Sequence, residues 1–312
     1  MLLCASSYSL RILYLIVSIC FLNFDKVSSQ NVDYREITFV DSALLDYKTY
    51  LVKDVGGFSA STWRALFLEQ VTTDTAQVAK GLIDRSPKSV SLRSMPRDML
   101  QFPVAEKKEL FFSVMGRIAK FHNNVIAERR ERLIRLLHSS NDDVFFEKMV
   151  VEYSLERINR RISTRTDSLH ALLNRVDYIP PSLILAQAAI ESGWGTSRFA
   201  REGNNLFGQR VWDDKIPGMK ASGRLDAKFR LAVYPNISES VKSYLRNLNT
   251  HPFYESLRAI RQAKRSRGEC ILGRDLVGEI GSYSIRGEEY ISDVTRIIEF
   301  NNLTKLDEEA CR

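Results

Sequence analysis

The segment running from Val176 to Gly195 restricts the fold more than any other part of this chain. Pro180-Pro181 fits only the first turn of a helix, because proline lacks an N–H and clashes with the preceding turn. From Leu183 to Ile190 every residue except Gln187 is apolar. A helix apolar on all sides belongs inside a protein, not on its surface. Gly193 and Gly195 then supply the stop. The chain must therefore wrap other elements around one central helix over about 181–192.

Other helices follow from apolar spacing. Phe111, Val114, Met115, Ile118, Phe121, Val125, Leu133 and Leu136 recur through a charged stretch, predicting a long amphipathic helix over 105–137, or two with a break near Asn123-Asn124. Ser139-Ser140-Asn141-Asp142 reads as a loop and helix start, and as the boundary between a helical N-terminal region (30–140) and a functional domain (141–312). Further helices are expected over 143–157, over 167–176 opening at Asp167-Ser168, and over 238–249, 254–265 and 287–300. Residues 210–228, rich in Gly, Asp and Lys, read as a small hairpin lobe. Residues 30–95 alternate short apolar clusters with turn residues and predict little.

The N-terminus carries Arg11, an apolar run Leu13–Leu22 and small residues Val27-Ser28-Ser29. That layout is a secretory signal over 1–29, too short for an ordinary membrane span, with an uncleaved inner-membrane anchor as the alternative. Its removal lowers the formal charge of +7 by one. A basic exported chain meets polyanionic cell wall or acidic lipid, and export argues against nucleic acid. Of four cysteines only Cys270 and Cys311 lie beyond the signal; they either pair or stay free. His122, His138, His170 and His251 are scattered singly, read as structural, and no Cys/His spacing resembles a metal site.

Glu191 stands out chemically. It closes the buried helix, between Ile190 and Trp194, where the helix carboxyl end is negative and a carboxylate is disfavoured. Apolar surroundings push the same way, toward the neutral acid. A carboxyl that keeps its proton is what a glycosidase uses on a leaving oxygen. From position alone, a glutamate that merely reaches solvent at a helix end is the stronger account.

The segment Ala189-Ile190-Glu191-Ser192-Gly193-Trp194-Gly195-Thr196-Ser197, followed by Asn204-Asn205-Leu206-Phe207-Gly208, resembles the paired signature of the glucosaminidase family of bacterial wall hydrolases. Phe102-Pro103, Lys107–Phe112, Asn247–His251 and Tyr283-Ser284-Ile285-Arg286-Gly287 with Tyr290 are similar to its Bax-type branch. The resemblance covers about 95–303. It implies a mostly helical, lysozyme-like α+β domain that cleaves the β-1,4 bond on the reducing side of N-acetylglucosamine in peptidoglycan, in the periplasm or envelope, without metal or cofactor. The alternatives are a lytic transglycosylase and a wall-binding protein without activity.

By the same resemblance Glu191 is the general acid and Tyr283 faces the bound N-acetyl group. Trp194 packs behind the helix end and walls off Glu191. Asn204 and Asn205 bond either sugar amides or their own turn. Phe207 is a sugar platform or a core residue, and Tyr290 a core residue of the last helix. Phe229, Tyr234, Ser240 and Tyr244 support the groove. Many relatives carry a second glutamate in the lobe, whereas residues 209–228 hold only Asp213, Asp214 and Asp226. Asp226, nearest Phe229, is the choice for a second carboxylate, with attack by the substrate's own acetamido oxygen as the alternative. Arg258, Arg261, Lys264, Arg265 and Arg267 read as a solvated face, or else as a surface attracting the carboxylates of the wall.

Overall fold

A computed structural model describes residues 33–40, 49–56, 60, 90–92, 94–139, 142–155, 164–220 and 228–311. Residues 1–29, which carry the export reading, and Asp226 lie outside them. The architecture is mostly helical α+β, as the sequence predicts. Strands β1 (Asp33–Val40) and β2 (Thr49–Gly56) pair antiparallel, and β3 (Val90–Leu92) joins β2 in parallel. This sheet was not legible in the alternating clusters of 30–95.

Helix α1 runs unbroken from Val104 to Leu136. This is the single long helix of the sequence reading; the alternative break at Asn123-Asn124 does not occur, and Asn123 turns its amide outward from the helix. Its Nδ2 donates to the Ile179 carbonyl at 2.8 Å and its Oδ1 accepts from the Ile179 N–H at 3.3 Å. Those bonds seat the chain just before Pro180-Pro181. Helix α2 (Asp143–Glu152) opens on the Asp142 side chain and ends before Ser154, whose φ of 54° turns the chain. Helix α3 (Arg165–Arg175) starts two residues before the predicted position, since Thr164 and Asp167 form a reciprocal capping box.

Helix α4 (Pro181–Ser192) is the predicted central helix, with every residue from Pro181 to Ala189 buried. It packs against α1, α8 (Gly273–Leu276), α9 (Glu288–Phe300) and α10 (Thr304–Ala310). Burying a Leu or Ile fully contributes about 1.5–3 kcal/mol, so this helix, with Leu183, Ile184 and Leu185 buried and Ile179 buried just before it, anchors the core. The buried cluster is continuous from Met95 through Leu303, so α1 and the C-terminal helices share one core. The remaining helices are α5 (Arg198–Gly203), α6 (Ile237–Thr250) and α7 (Glu255–Ser266). The lobe is a three-stranded sheet in the order β4 (Arg210–Val211), β6 (Arg230–Ala232), β5 (Gly218–Met219).

Cys270 and Cys311 form a disulfide, settling the alternative left open by the sequence and fastening α10 to the loop before α8. The basic run of α7 divides: Arg258 and Arg261 are buried, whereas Arg265 and Arg267 are exposed as a solvated face but paired with carboxylates. Arg261 is 1% exposed and donates to the carbonyls of Asn174, Asp177 and Tyr178 and to Asn249 Oδ1. Arg258 donates to the Leu248 and His251 carbonyls, Arg265 grips the buried Asp177, Lys264 meets Asp275 at 2.9 Å, and Arg267 pairs with Glu269. Arg258 and Arg261 satisfy backbone acceptors where loops converge, while Lys264, Arg265 and Arg267 pair with carboxylates, roles that spacing alone does not reveal. Asp177 is held below the ordinary carboxylate range by Arg265, Arg261 and Arg130, despite burial acting the other way.

Candidate active site

The site is built where α4 ends. Gly193, Trp194 and Gly195 have φ of 55°, 59° and 76°, three left-handed residues in succession. The Trp194 N–H bonds the Ala189 carbonyl at 2.9 Å, closing the helix in the manner its glycines predict. Holding a bulky residue left-handed costs about 1–2 kcal/mol. The Trp194 ring offsets it by packing edge-on against Phe111 and Phe112 of α1, with Lys108 Nζ 4.8 Å over its face. Trp194 thus joins the helix end to α1, which is the packing part of its expected role.

Glu191 sits on the last turn of α4, half-buried. Burial pushes its carboxyl above the ordinary glutamate value. A hydrogen bond with Tyr290 and the charges of Arg286 and Arg210 act in the opposite direction without cancelling that rise. No Asp or Glu side chain among the described residues perturbs it. Gly208, at φ 64°, lies directly against it: a Cβ there would stand 3.2 Å from Glu191 Oε2. The Asn-Asn-Leu-Phe-Gly turn therefore ends on the carboxyl, and a side chain at Gly208 would crowd the acid as well as strain the backbone.

The turn is held from within. Asn205 is 1% exposed. Its Nδ2 donates to the Gln209 and Ala232 carbonyls, and its Oδ1 accepts from the N–H groups of Phe207 and Gln209. All of its hydrogen-bonding capacity is used by the turn and by β6, so of its two expected roles the structure shows the turn-building one. Asn204, left-handed at φ 51°, donates to the Tyr234 carbonyl at 3.0 Å, while its Oδ1 is buried without a protein partner. Phe207 is buried and stacks on Tyr244 with centroids 4.0 Å apart, which is the core alternative and not an open sugar platform. Ser240 supports the turn by accepting from the Leu206 N–H.

Tyr283 donates its hydroxyl to the Phe207 carbonyl at 2.7 Å and lies parallel to Tyr290 at 5.9 Å. It therefore braces the turn that carries Gly208. Tyr283→Phe should keep the ring packing, lose about 1 kcal/mol of stability, and lower turnover by loosening the turn. Comparing the thermal midpoint and the turnover of the variant with those of the parent checks this, and parental values for both would remove Tyr283 from the site.

Asp213 and Asp214 are exposed in the lobe, where Asp214 pairs with Arg230 at 3.3 Å and Asp213 accepts from the Lys215 N–H. Sequence reasoning placed Tyr290 in the core and treated Gln187 only as a polar exception. The structure brings the two together one turn before the acid: Gln187 Nε2 donates to the Tyr290 hydroxyl at 3.0 Å. The available signal was a lone polar residue one turn before Glu191 on the same helix face.

Glu191 thus stands at the end of the central helix, its carboxyl raised by burial, with the Asn-Asn-Leu-Phe-Gly turn ending against it. Residues 167–303 match the glucosaminidase family, described as mannosyl-glycoprotein endo-β-N-acetylglucosaminidase. Protein bax of Escherichia coli is 37% identical over 128 residues, covering 41% of this chain and 45% of that protein. The chain thus spans less than half the length of this relative. The peptidoglycan hydrolase FlgJ of Salmonella typhimurium is 26% identical over 246 residues, covering 73% of this chain and 72% of FlgJ. The catalytic domain of the autolysin Auto from Listeria monocytogenes superposes with a TM-score of 0.33 at 24% identity, covering 50% of this chain and 97% of that domain.

Proposed function

We propose that this protein is an exported peptidoglycan hydrolase, an endo-β-N-acetylglucosaminidase whose general acid is Glu191. One observation carries the reading: a carboxyl raised above its ordinary value by burial, at the end of a buried helix, with the Gly208 turn lying open against it. Such an acid holds its proton to higher pH than an ordinary glutamate, which is the direction a general acid at a glycosidic oxygen requires. Peptidoglycan as substrate is supported by the match to the glucosaminidase family and by the similarity to FlgJ, a peptidoglycan hydrolase.

In this mechanism the sugar chain crosses the end of α4. Glu191 donates its proton to the leaving oxygen as an oxocarbenium-like centre develops. Asp226 is the proposed second carboxylate, and attack by the 2-acetamido oxygen is the route that dispenses with it. Export rests on the signal-like segment 1–29; among the described residues no helix is long and apolar enough to cross a membrane.

Mass analysis of peptidoglycan digested with the protein tests the assignment. The expected products carry a reducing-end N-acetylglucosamine and one added water per cut. Anhydro sugars would identify a lytic transglycosylase, and retention on the wall without release would identify a binding protein.

A further inference from the structure

The lobe carries an aromatic that the proposed chemistry leaves unused. Trp212 is 67% exposed. One apolar side chain in water is ordinary, but the surroundings of this one are built. Trp212 follows β4, which pairs with β6 through Arg210 with Leu231 and Val211 with Arg230. Arg210 and Trp212 stand two residues apart, so an extended chain presents them on one face. Both border Phe229: the Arg210 guanidinium lies 4.3 Å over its ring, and the Trp212 ring centroid is 6.5 Å away, tilted by 54°. Gln209, which alternates to the other side, bonds the hydroxyls of Tyr234 and Ser243 and so seats the strand on α6. The loop beyond Trp212 is pinned by Arg230, which donates to the Asp213 and Ile216 carbonyls at 2.9 and 3.0 Å and pairs with Asp214.

This platform stands beside the acid. The Asn-Asn-Leu-Phe-Gly turn ends against Glu191 at Gly208, and the four residues from there to Trp212 span at most about 14 Å. A glycan polymer crossing Glu191 is longer than that reach, so its neighbouring sugars can lie on the lobe. The chemistry of the face selects one occupant. A sugar ring presents C–H groups on its flat faces, and packing them on an indole removes apolar surface from water. Arg210 is exposed, and among the described residues no carboxylate pairs with it, whereas Arg230, Arg265 and Arg267 each have one. Its guanidinium matches a carboxylate in charge and in geometry. In peptidoglycan the acidic group nearest a sugar ring is the lactyl carboxylate of N-acetylmuramic acid, free once the amide to its stem peptide has been hydrolysed. Carboxylates of the stem peptide itself lie further out. Arg210 and Trp212 border the same phenyl ring, so the near group is the one that fits.

We propose that Trp212, Arg210 and Phe229 form a subsite for an N-acetylmuramic acid residue whose stem peptide has been removed, Trp212 stacking on the sugar and Arg210 holding its lactyl carboxylate. This deepens the proposed function and rests on the glycan strand crossing Glu191.

Binding is measured by calorimetry in the Glu191→Gln background, which prevents cleavage, with three probes of equal length. These are peptide-free glycan strands, the same strands bearing stem peptides, and chitin-type oligosaccharides, which have no carboxylate. Peptide-free strands should bind tightest. Trp212→Ala should weaken all three by about tenfold, and Trp212→Phe should recover part of the loss. Arg210→Gln should weaken the peptide-free strands by about fivefold and leave the chitin-type oligosaccharides unchanged. Both side chains are exposed, so the thermal midpoints should stay at the parental value. Binding indifferent to Trp212→Ala would overturn the platform. Equal losses on all three probes in Arg210→Gln, or the largest loss on peptide-bearing strands, would overturn recognition of the lactyl carboxylate. Reducing-end release by the parent reads the hydrolase separately. The expected binding pattern without release supports the subsite and overturns the hydrolase, whereas release with binding indifferent to both substitutions does the reverse.

Discussion

Glu191→Gln is expected to lower peptidoglycan turnover by about 10²–10⁴-fold while leaving the protein folded. The amide keeps the shape of the side chain and removes only the transferable proton. Stability should respond in a defined pH window. Glu191 has a native value raised above 4.5 by burial, so between 4.5 and that value the native state binds more protons than the unfolded chain. Stability contributed by the neutral acid is fully present below 4.5 and is lost as pH rises through the native value. Glutamine does not ionise, so the variant should match the parent at low pH and equal or exceed it near neutrality. Reducing-end release measured together with thermal midpoints at several pH values checks both parts. A folded variant with full activity would remove Glu191 from the chemistry.

The second large effect is expected far from the acid. Helix α4 begins at Pro180-Pro181 and has no capping side chain of its own. Its cap comes from Asp307 on α10, 125 residues away. The buried carboxylate accepts from the Ser182 N–H at 2.8 Å, the Ser182 hydroxyl at 2.5 Å and the Gly273 N–H at 2.8 Å. It thereby serves the first turns of both α4 and α8, where exposed N–H groups favour an acceptor. The approach is close: a Cβ on Gly273 would fall 2.1 Å from Ser182 Oγ. Asp307→Ala strands three buried donors, each costing about 1–3 kcal/mol. The total expected loss is about 3–5 kcal/mol, or about 10 °C in thermal midpoint. Turnover should fall as well, because α4 carries Glu191 at its other end. Calorimetry of the disulfide-intact protein measures the effect, and a midpoint within 2–3 °C of the parent's, about 1 kcal/mol, would mean water replaces the cap.

The sequence by itself determined what depends on neighbours along the chain. Apolar spacing located α1, α6, α7 and α9 to within a residue or two, since a helix repeats its buried face every 3.6 residues. Prolines and glycines placed both ends of α4, because their backbone limits act locally. Glu191 was legible for the same reason: helix end, apolar flank and turn motif are all local. Tertiary structure decided which polar groups serve each other. Asn123 reads as a candidate helix break until Ile179 is beside it, and Arg261 reads as a surface charge until carbonyls within 174–178 and the Asn249 side chain converge on it. Asp307 lies in a polar tail with nothing to connect it to Ser182. Gln187 is a flaw in an apolar helix until Tyr244 and Tyr290 arrive from two other helices. Hydrogen bonds of this kind join residues far apart in the chain and leave no periodic trace, so only the packed fold assigns their partners.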